Sequence, residues 1–119
     1  MTDKFNLTVR KEKDFAVLST EGYINHLGEQ IADECNSLMG AGYKKFVLNL
    51  EKSKVVNSIG LAIFIEVIEQ LQQVKGTMYF CGLAPIIEKS FKIMGLAQRV
   101  KIFKTETEAA EEIQKSADN

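Results

Sequence analysis

Few side chains in this 119-residue sequence are of types that do covalent chemistry, and those few are scattered. His26 is the one histidine, and no Ser, Cys or acid near it in sequence forms a triad with it. Nucleophilic catalysis needs a positioned base and a group that orients it. His26 therefore reads as a satisfied or exposed loop histidine. Cys35 and Cys81 stand far apart, with no Cys-X-X-Cys spacing, and read as two buried, reduced thiols. Metal ligands come as clusters of Cys, His or carboxylate at fixed spacing, and the sequence has none, so neither a metal nor a cofactor is expected. Glu66 with Glu69, and Glu111 with Glu112, are acid pairs on amphipathic stretches, which is the pattern of a solvated face. Gly40 and Gly42 do not follow a strand, so they stop a helix and do not cradle a phosphate. No catalytic residue is assigned, and an enzyme is not expected.

Composition narrows the classes further. Hydrophobic residues are 45% and charged residues 26% of the chain, an ordinary globular mix with material for one core. The length suits a single domain over 1–119, with its core from about 5 to 113 and a frayed tail at 116–119. Fifteen basic residues against sixteen acidic ones give a net charge of −1, without the basic excess of a nucleic-acid surface. Met1-Thr2-Asp3-Lys4 precedes no apolar stretch of signal-peptide type, and the longest apolar run, Leu61 to Ile65, is too short to span a membrane. A cytoplasmic location is the resulting expectation.

The elements follow from periodicity. Phe5, Leu7 and Val9 alternate with polar residues, and Phe15 to Thr20 returns after a charged turn, so the chain opens with a hairpin. Leu27, Ile31, Cys35 and Leu38 have helical spacing and end at Gly40-Ala41-Gly42. Phe46 to Leu50 is a strand, Ser58 to Val74 a helix capped by Asn57 or Ser58, and Thr77 to Cys81 a strand. Pro85 opens a third helix with an apolar stripe of Ile86, Ile87, Ser90, Phe91 and Met94. Val100 to Phe103 and Thr105 to Lys115 complete the alternation as strand and helix. The fold class is α/β: a mixed sheet of about five strands, with about four helices mainly on one face.

The informative helix is the second. On a helical wheel Leu61, Phe64, Ile65, Ile68 and Leu71 gather as a core face. Ile59, Ile63, Val67 and Val74 form a second apolar stripe beside Glu66, Gln70 and Gln73. A surface helix should not carry two such stripes. Either another part of the chain covers the second stripe, or it is a docking patch; the second reading is preferred, because the stripe begins at the first turn, beside a loop.

Asn57-Ser58-Ile59-Gly60-Leu61 resembles the Asp-Ser-Ser/Thr/Ala-Gly-Leu signature of the STAS domain, the fold of bacterial anti-sigma-factor antagonists. Phe46 to Leu50 is similar to the strand before that signature, and Glu21-Gly22-Tyr23-Ile24-Asn25 to the turn that opens the family's first helix. Gly82-Leu83-Ala84-Pro85, Met94-Gly95-Leu96, Ile102-Phe103 and Glu108-Ala109 extend the resemblance through the C-terminal half. The resemblance implies a protein that binds an anti-sigma factor, often a kinase-like ATPase. It also implies a switch: phosphorylation of the hydroxyl residue just before the signature glycine, which puts about −1.5 to −2 charges on the docking surface.

The sequence departs from the pattern at that switch. The residue before Gly60 is Ile59, which has no hydroxyl, and Ser58 stands one place early as a secondary phosphorylation candidate or a cap. Asn25, Asn49 and Asn57 occupy positions that are acidic in the family pattern. The expected partner-binding surface is Asn25, Asn57, Ser58, Ile59, Gly60, Ile63 and Val67, used by a constitutive binder. Alternatives of the same fold are a module of a lipid-transport complex or stress-signalling scaffold, and a small-ligand or nucleotide sensor. The second stripe also suits a homodimer.

Overall fold

The structure, a computed structural model, describes residues 4–117. Met1 to Asp3 and the last two residues of the expected tail lie outside the described residues. The chain runs β1 (Asn6–Lys11), β2 (Ala16–Glu21), α1 (Glu29–Gly40), β3 (Lys45–Lys52), α2 (Ser58–Gln73), β4 (Thr77–Cys81), α3 (Pro85–Ile93), β5 (Lys101–Phe103) and α4 (Glu106–Ala117). Residues 116 and 117, read as frayed tail from sequence, continue the last helix.

The five strands form one sheet in the order β1-β2-β3-β4-β5. β1 and β2 are an antiparallel hairpin, and β2 to β5 are parallel neighbours. A parallel step needs a crossover, which the intervening helices supply. The β2–β3 and β3–β4 crossovers therefore place the N-termini of α1 and α2 at one end of the sheet, beyond the last residues of β2 and β3.

Side chains alternate across the pleat and build two cores. Ala16, Leu18, Phe46, Leu48, Leu50, Met78 and Phe80 point to the face covered by α1, α2 and α3. Val17, Val47, Tyr79 and Cys81 point to the other, covered by Ala109 and Ile113 of α4. Phe64, Phe80 and Phe91 meet edge to face, with centroids 4.9 to 6.0 Å apart, and lock α2 and α3 to β4. Each such buried ring contributes about 1.5–3 kcal/mol.

Two expectations about helix faces are corrected. In α2, Ile63 is 5% and Val67 1% exposed, so neither belongs to an outer stripe. Both pack in one cluster with Ile31, Cys35 and Leu38 of α1. Ile63 also reaches the turn before α1: a Cβ on Gly28 would stand 3.5 Å from Ile63 Cδ1 and 3.2 Å from Ile24 Cγ2. Ile63 and Val67 thus join the core face, buried between sheet and α1, while Ile59 and Val74, at the two ends of the second stripe, stay exposed and Ile65 is half-buried. In α3, Ile87 and Phe91 are buried, but Ile86 and Met94 point outward. Nothing among the described residues covers them.

Candidate partner-binding site

The site is built from two loops at the C-terminal end of the parallel strands. The β2–α1 loop (22–28) and the β3–α2 loop (53–57) are laced together by backbone hydrogen bonds. The Gly22 amide donates to the Lys52 carbonyl at 3.0 Å, Ile24 to Val55 at 3.1 Å, and Asn57 to Ile24 at 3.0 Å. Ile24 and Val56 form a one-residue parallel bridge. Beneath them the hydroxyls of Thr20 and Ser53, both buried, hydrogen-bond at 2.7 Å. A buried hydroxyl without a partner would be costly, so this pair fixes where the loop leaves the sheet.

Two amide side chains cap the helical turns that these loops lead into. Asn57 is extended and its Oδ1 accepts the Gly60 N–H at 2.9 Å, starting α2. Asn25 Oδ1 accepts the Leu27 N–H at 2.9 Å and starts a short 3-10 turn, His26–Gly28. Capping needs only an acceptor oxygen, which Asn and Asp both offer. The amides thus keep the local fold and leave these two cap positions uncharged. The choice between Asn57 and Ser58 as cap falls to Asn57. Ser58 is exposed, and its hydroxyl hydrogen-bonds to none of the described residues.

Gly60 explains itself by contact. A Cβ on it would lie 2.6 Å from Val56 Cγ2 and 2.8 Å from the Ile24 carbonyl oxygen. Only glycine lets the first turn of α2 rest on the Ile24–Val56 bridge. The neighbour on its outer side is Ile59, which is 51% exposed. Val55, 48% exposed, stands on the same end. A cleft of about 360 Å³ lined by Gly22, Tyr23, Lys52, Lys54 and Val55 opens there.

Of the residues singled out from sequence, Asn25, Asn57, Ser58, Ile59 and Gly60 are brought together, with Gly60 buried as a spacer. Ile63 and Val67 are core. Val55 was not singled out from sequence, and its exposure adds it to this end of the molecule.

Asn49 belongs elsewhere. Its Oδ1 accepts the Glu51 N–H at 2.9 Å, and its Nδ2 donates to Glu106 Oε1 at 3.2 Å. Arg10 donates to the other oxygen of Glu106. Burial pushes the Glu106 carboxyl up, but these hydrogen bonds outweigh it and hold its pKa below the ordinary value. A carboxylate at position 49 would face Glu106 with no proton to donate. The sequence could not show this trio, because its members sit on β1, β3 and α4.

The remaining titratable groups are peripheral. Glu69 pairs with Arg99 at 3.9 Å and Glu112 with Lys101 at 3.7 Å, both at the surface. Cys35 and Cys81 are free and buried, on opposite faces of the sheet. Burial raises both thiols to about 12. Among the described residues no group of three or more His, Cys, Asp or Glu could hold a metal, and no helix is long and apolar enough to cross a membrane.

Comparison with known proteins places this geometry. The STAS domain family matches residues 6–109. BtrV of Bordetella bronchiseptica, assigned as an anti-sigma factor antagonist, is 30% identical over 90 residues, covering 75% of this chain and 78% of that one. The crystal structure of an anti-sigma factor antagonist from Mycobacterium paratuberculosis superposes with a TM-score of 0.83 at 17% identity, covering 96% and 97% of the two chains. The anti-sigma factor antagonist SpoIIAA in its unphosphorylated form gives 0.79 at 20% identity, covering 92% and 96%. The mixed five-stranded sheet with its four helices is the fold of those antagonists, and the chain belongs to the STAS domain family.

Proposed function

We propose that this protein is a binding module of the anti-sigma-factor-antagonist kind, working in the cytoplasm. It docks on an anti-sigma factor, or a related regulatory partner such as a kinase-like ATPase, and does so without the hydroxyl switch. The docking surface is Val55, Asn57, Ser58 and Ile59, with Asn25 at its rim. The observation that carries this reading is the exposure of Ile59 on the first turn of α2, at the position just before Gly60. An isoleucine held half in water on a rigidly capped turn gains free energy when a partner covers it, about 1–2 kcal/mol for the part left exposed. Its side chain offers no oxygen for a phosphate. The state that a phosphate would switch off is therefore permanent, unless Ser58 takes that role.

The surface supports binding better than catalysis. The docking surface consists of two apolar side chains, two amides and one hydroxyl, whereas a reaction centre needs converging acids, bases or nucleophiles.

The test is affinity capture from lysate of the native cell, read by mass spectrometry, with wild type, Ile59→Glu and Val74→Glu as baits. Val74 is also exposed but lies past the far end of α2, so it controls for added charge. The reading expects wild type and Val74→Glu to retain a regulatory ATPase or anti-sigma factor that Ile59→Glu loses, because an unpaired charge in a dry interface is costly. Retention of the same partner by all three would refute the docking surface. Retention of transporter subunits instead would move the assignment to a transport complex.

A further inference from the structure

The two edges of the sheet are not alike. β5, at one edge, is three residues long and begins with Lys101, and both shortness and lysine blunt an edge against further pairing. β1, at the other edge, runs for six residues in unbroken register with β2, from Asn6 opposite Glu21 to Lys11 opposite Ala16. It has no bulge and no proline, and its middle, Leu7-Thr8-Val9, carries no charge.

The hairpin turn sets which backbone groups of β1 are free. The Glu12 amide donates to the Phe15 carbonyl at 2.8 Å, so these opposed residues are a hydrogen-bonded pair. Hydrogen-bonded and non-hydrogen-bonded pairs alternate along an antiparallel ladder. Arg10, Thr8 and Asn6 therefore turn their N–H and C=O groups toward β2, and Leu7, Val9 and Lys11 turn theirs away from it. Among the described residues, no backbone hydrogen bond outside the ladder reaches these outward groups. The side chains alternate as well. Leu7 and Val9 are half-buried against the core under α1, α2 and α3. Thr8 and Arg10 lie on the face of α4, where Arg10 donates to Glu106.

We propose that β1 pairs antiparallel with β1 of a second copy of this chain, about a twofold axis at Thr8, and joins the two five-stranded sheets into one. Outward groups must meet outward groups, so odd-numbered residues of one copy face odd-numbered residues of the other. The axis at Thr8 sets Leu7 against Val9 in both directions and covers the half-exposed apolar pair of each copy. It also sets Lys4, before β1, against Glu12, after it, so that opposite charges face each other twice. Other registers fit worse. An axis at Leu7 sets Lys4 against Arg10, an axis at Arg10 sets that residue against itself, and like charges directly opposite are unfavourable. An axis at Val9 sets the Lys11 ammonium against Leu7. Charge and apolar pattern thus make the edge complementary to itself. The contact is isologous and uses the same edge in both copies, so it closes at a dimer. α2 crosses from β3 to β4, inward of β1, so the pairing leaves the Ile59 surface clear and does not depend on it.

The experiment is sedimentation equilibrium of the full chain, combined with disulfide trapping. Wild type should show a monomer–dimer equilibrium with a dissociation constant below about 200 µM. Val9→Pro removes an outward N–H that β2 does not use, and should dimerise at least about tenfold more weakly while its amide spectrum stays that of a folded chain. Thr8→Cys leaves the backbone of the edge intact. On the axis it forms a non-hydrogen-bonded pair with its own copy, with Cα atoms about 4.5 Å apart, inside the range of about 4.4–6.8 Å that a disulfide spans. With oxidised glutathione as the oxidant, Thr8→Cys should give a covalent dimer at least about ten times faster than Asn6→Cys, whose counterpart lies opposite Arg10 and out of reach. Wild type should give none, since Cys35 and Cys81 are buried. If Val9→Pro unfolds, the trapping comparison decides alone. The proposal is overturned by a wild type that stays monomeric up to about 1 mM, by a dimer that a folded Val9→Pro leaves equally tight, or by equal trapping of the two cysteine variants.

Discussion

Gly60 sits on Ile24 so closely that a Cβ would approach the Ile24 carbonyl oxygen to 2.8 Å. That oxygen already accepts the Asn57 amide at 3.0 Å. The glycine, the cap and the strut between the two loops are therefore one unit. Gly60→Ala would gain helix propensity of about 1 kcal/mol and lose it to this clash. The backbone oxygen cannot rotate away, so the first turn of α2 must lift. The expected net loss is about 1–3 kcal/mol, read as a lowered urea midpoint. An unchanged midpoint would mean that the loops yield freely and do not fix Ile59.

The burial of α2 predicts a pattern along one helix. Ile63→Ala, like Leu61→Ala and Ile68→Ala, removes a buried side chain and should cost about 2–5 kcal/mol. Val67→Ala should cost somewhat less, having fewer methyl groups to lose. Ile59→Ala should stay within about 0.5 kcal/mol of wild type. Urea unfolding of the series checks this directly. A costly Ile59→Ala would make Ile59 a core residue and remove it from the surface.

That pattern marks the limit of what the sequence made legible. The strands and helices were readable because their periods are local: Met78 and Phe80 point one way and Tyr79 and Cys81 the other, as alternation requires. The rotation of α2 was not, because what covers Ile63 and Val67 is α1, and a wheel of one helix cannot show its neighbour. For the same reason Ile86 and Met94 were expected inside and lie outside. The capping amides were legible as caps from type and position. The role of Asn49 was not, since its partner Glu106 is 57 residues away.

Asn57 can be tested as a cap apart from any binding role. Asn57→Ala leaves the Gly60 N–H without its acceptor and should cost about 1 kcal/mol. Asn57→Asp keeps the acceptor and adds a charge that the helix N-terminus favours, so its midpoint should equal or exceed wild type by up to about 1 kcal/mol. Equal losses in both variants would show that the amide nitrogen, and not the oxygen, matters.

The buried thiols predict slow chemistry. With a pKa raised to about 12 by burial, Cys35 and Cys81 are thiols at pH 8. Roughly one molecule in ten thousand then carries the reactive thiolate. Iodoacetamide should label the native protein at least about a hundredfold more slowly than the urea-unfolded chain. The linkage has a definite sign. Unfolded thiols ionise near their ordinary 9.0 while the folded ones stay neutral, so stability is full below pH 9 and falls as pH rises toward 12. Rapid labelling of the native state would show that one face of the sheet opens to solvent.

At acid pH the sign reverses, and Arg10 with Glu106 is the pair to watch. Glu106 titrates below its ordinary 4.5, because hydrogen bonds from Arg10 and Asn49 outweigh its burial. The unfolded chain takes up this proton first. Stability from the pair is present above pH 4.5 and is lost as pH falls through the lower, folded value. The Arg10 side chain is 52% exposed, so water screens the pair, and a contribution of about 0.5–1 kcal/mol is expected. Urea midpoints of wild type and Arg10→Gln, measured from neutral pH down to about pH 3, should converge as the pH drops. High salt should shrink their difference at neutral pH. Asn49→Asp provides the complementary arm: two carboxylates would then face each other across β3 and α4, and the variant should be less stable at pH 7 and recover as the pH is lowered. If its loss does not depend on pH, charge repulsion is not its cause, and the Asn49 contact with Glu106 matters only for shape.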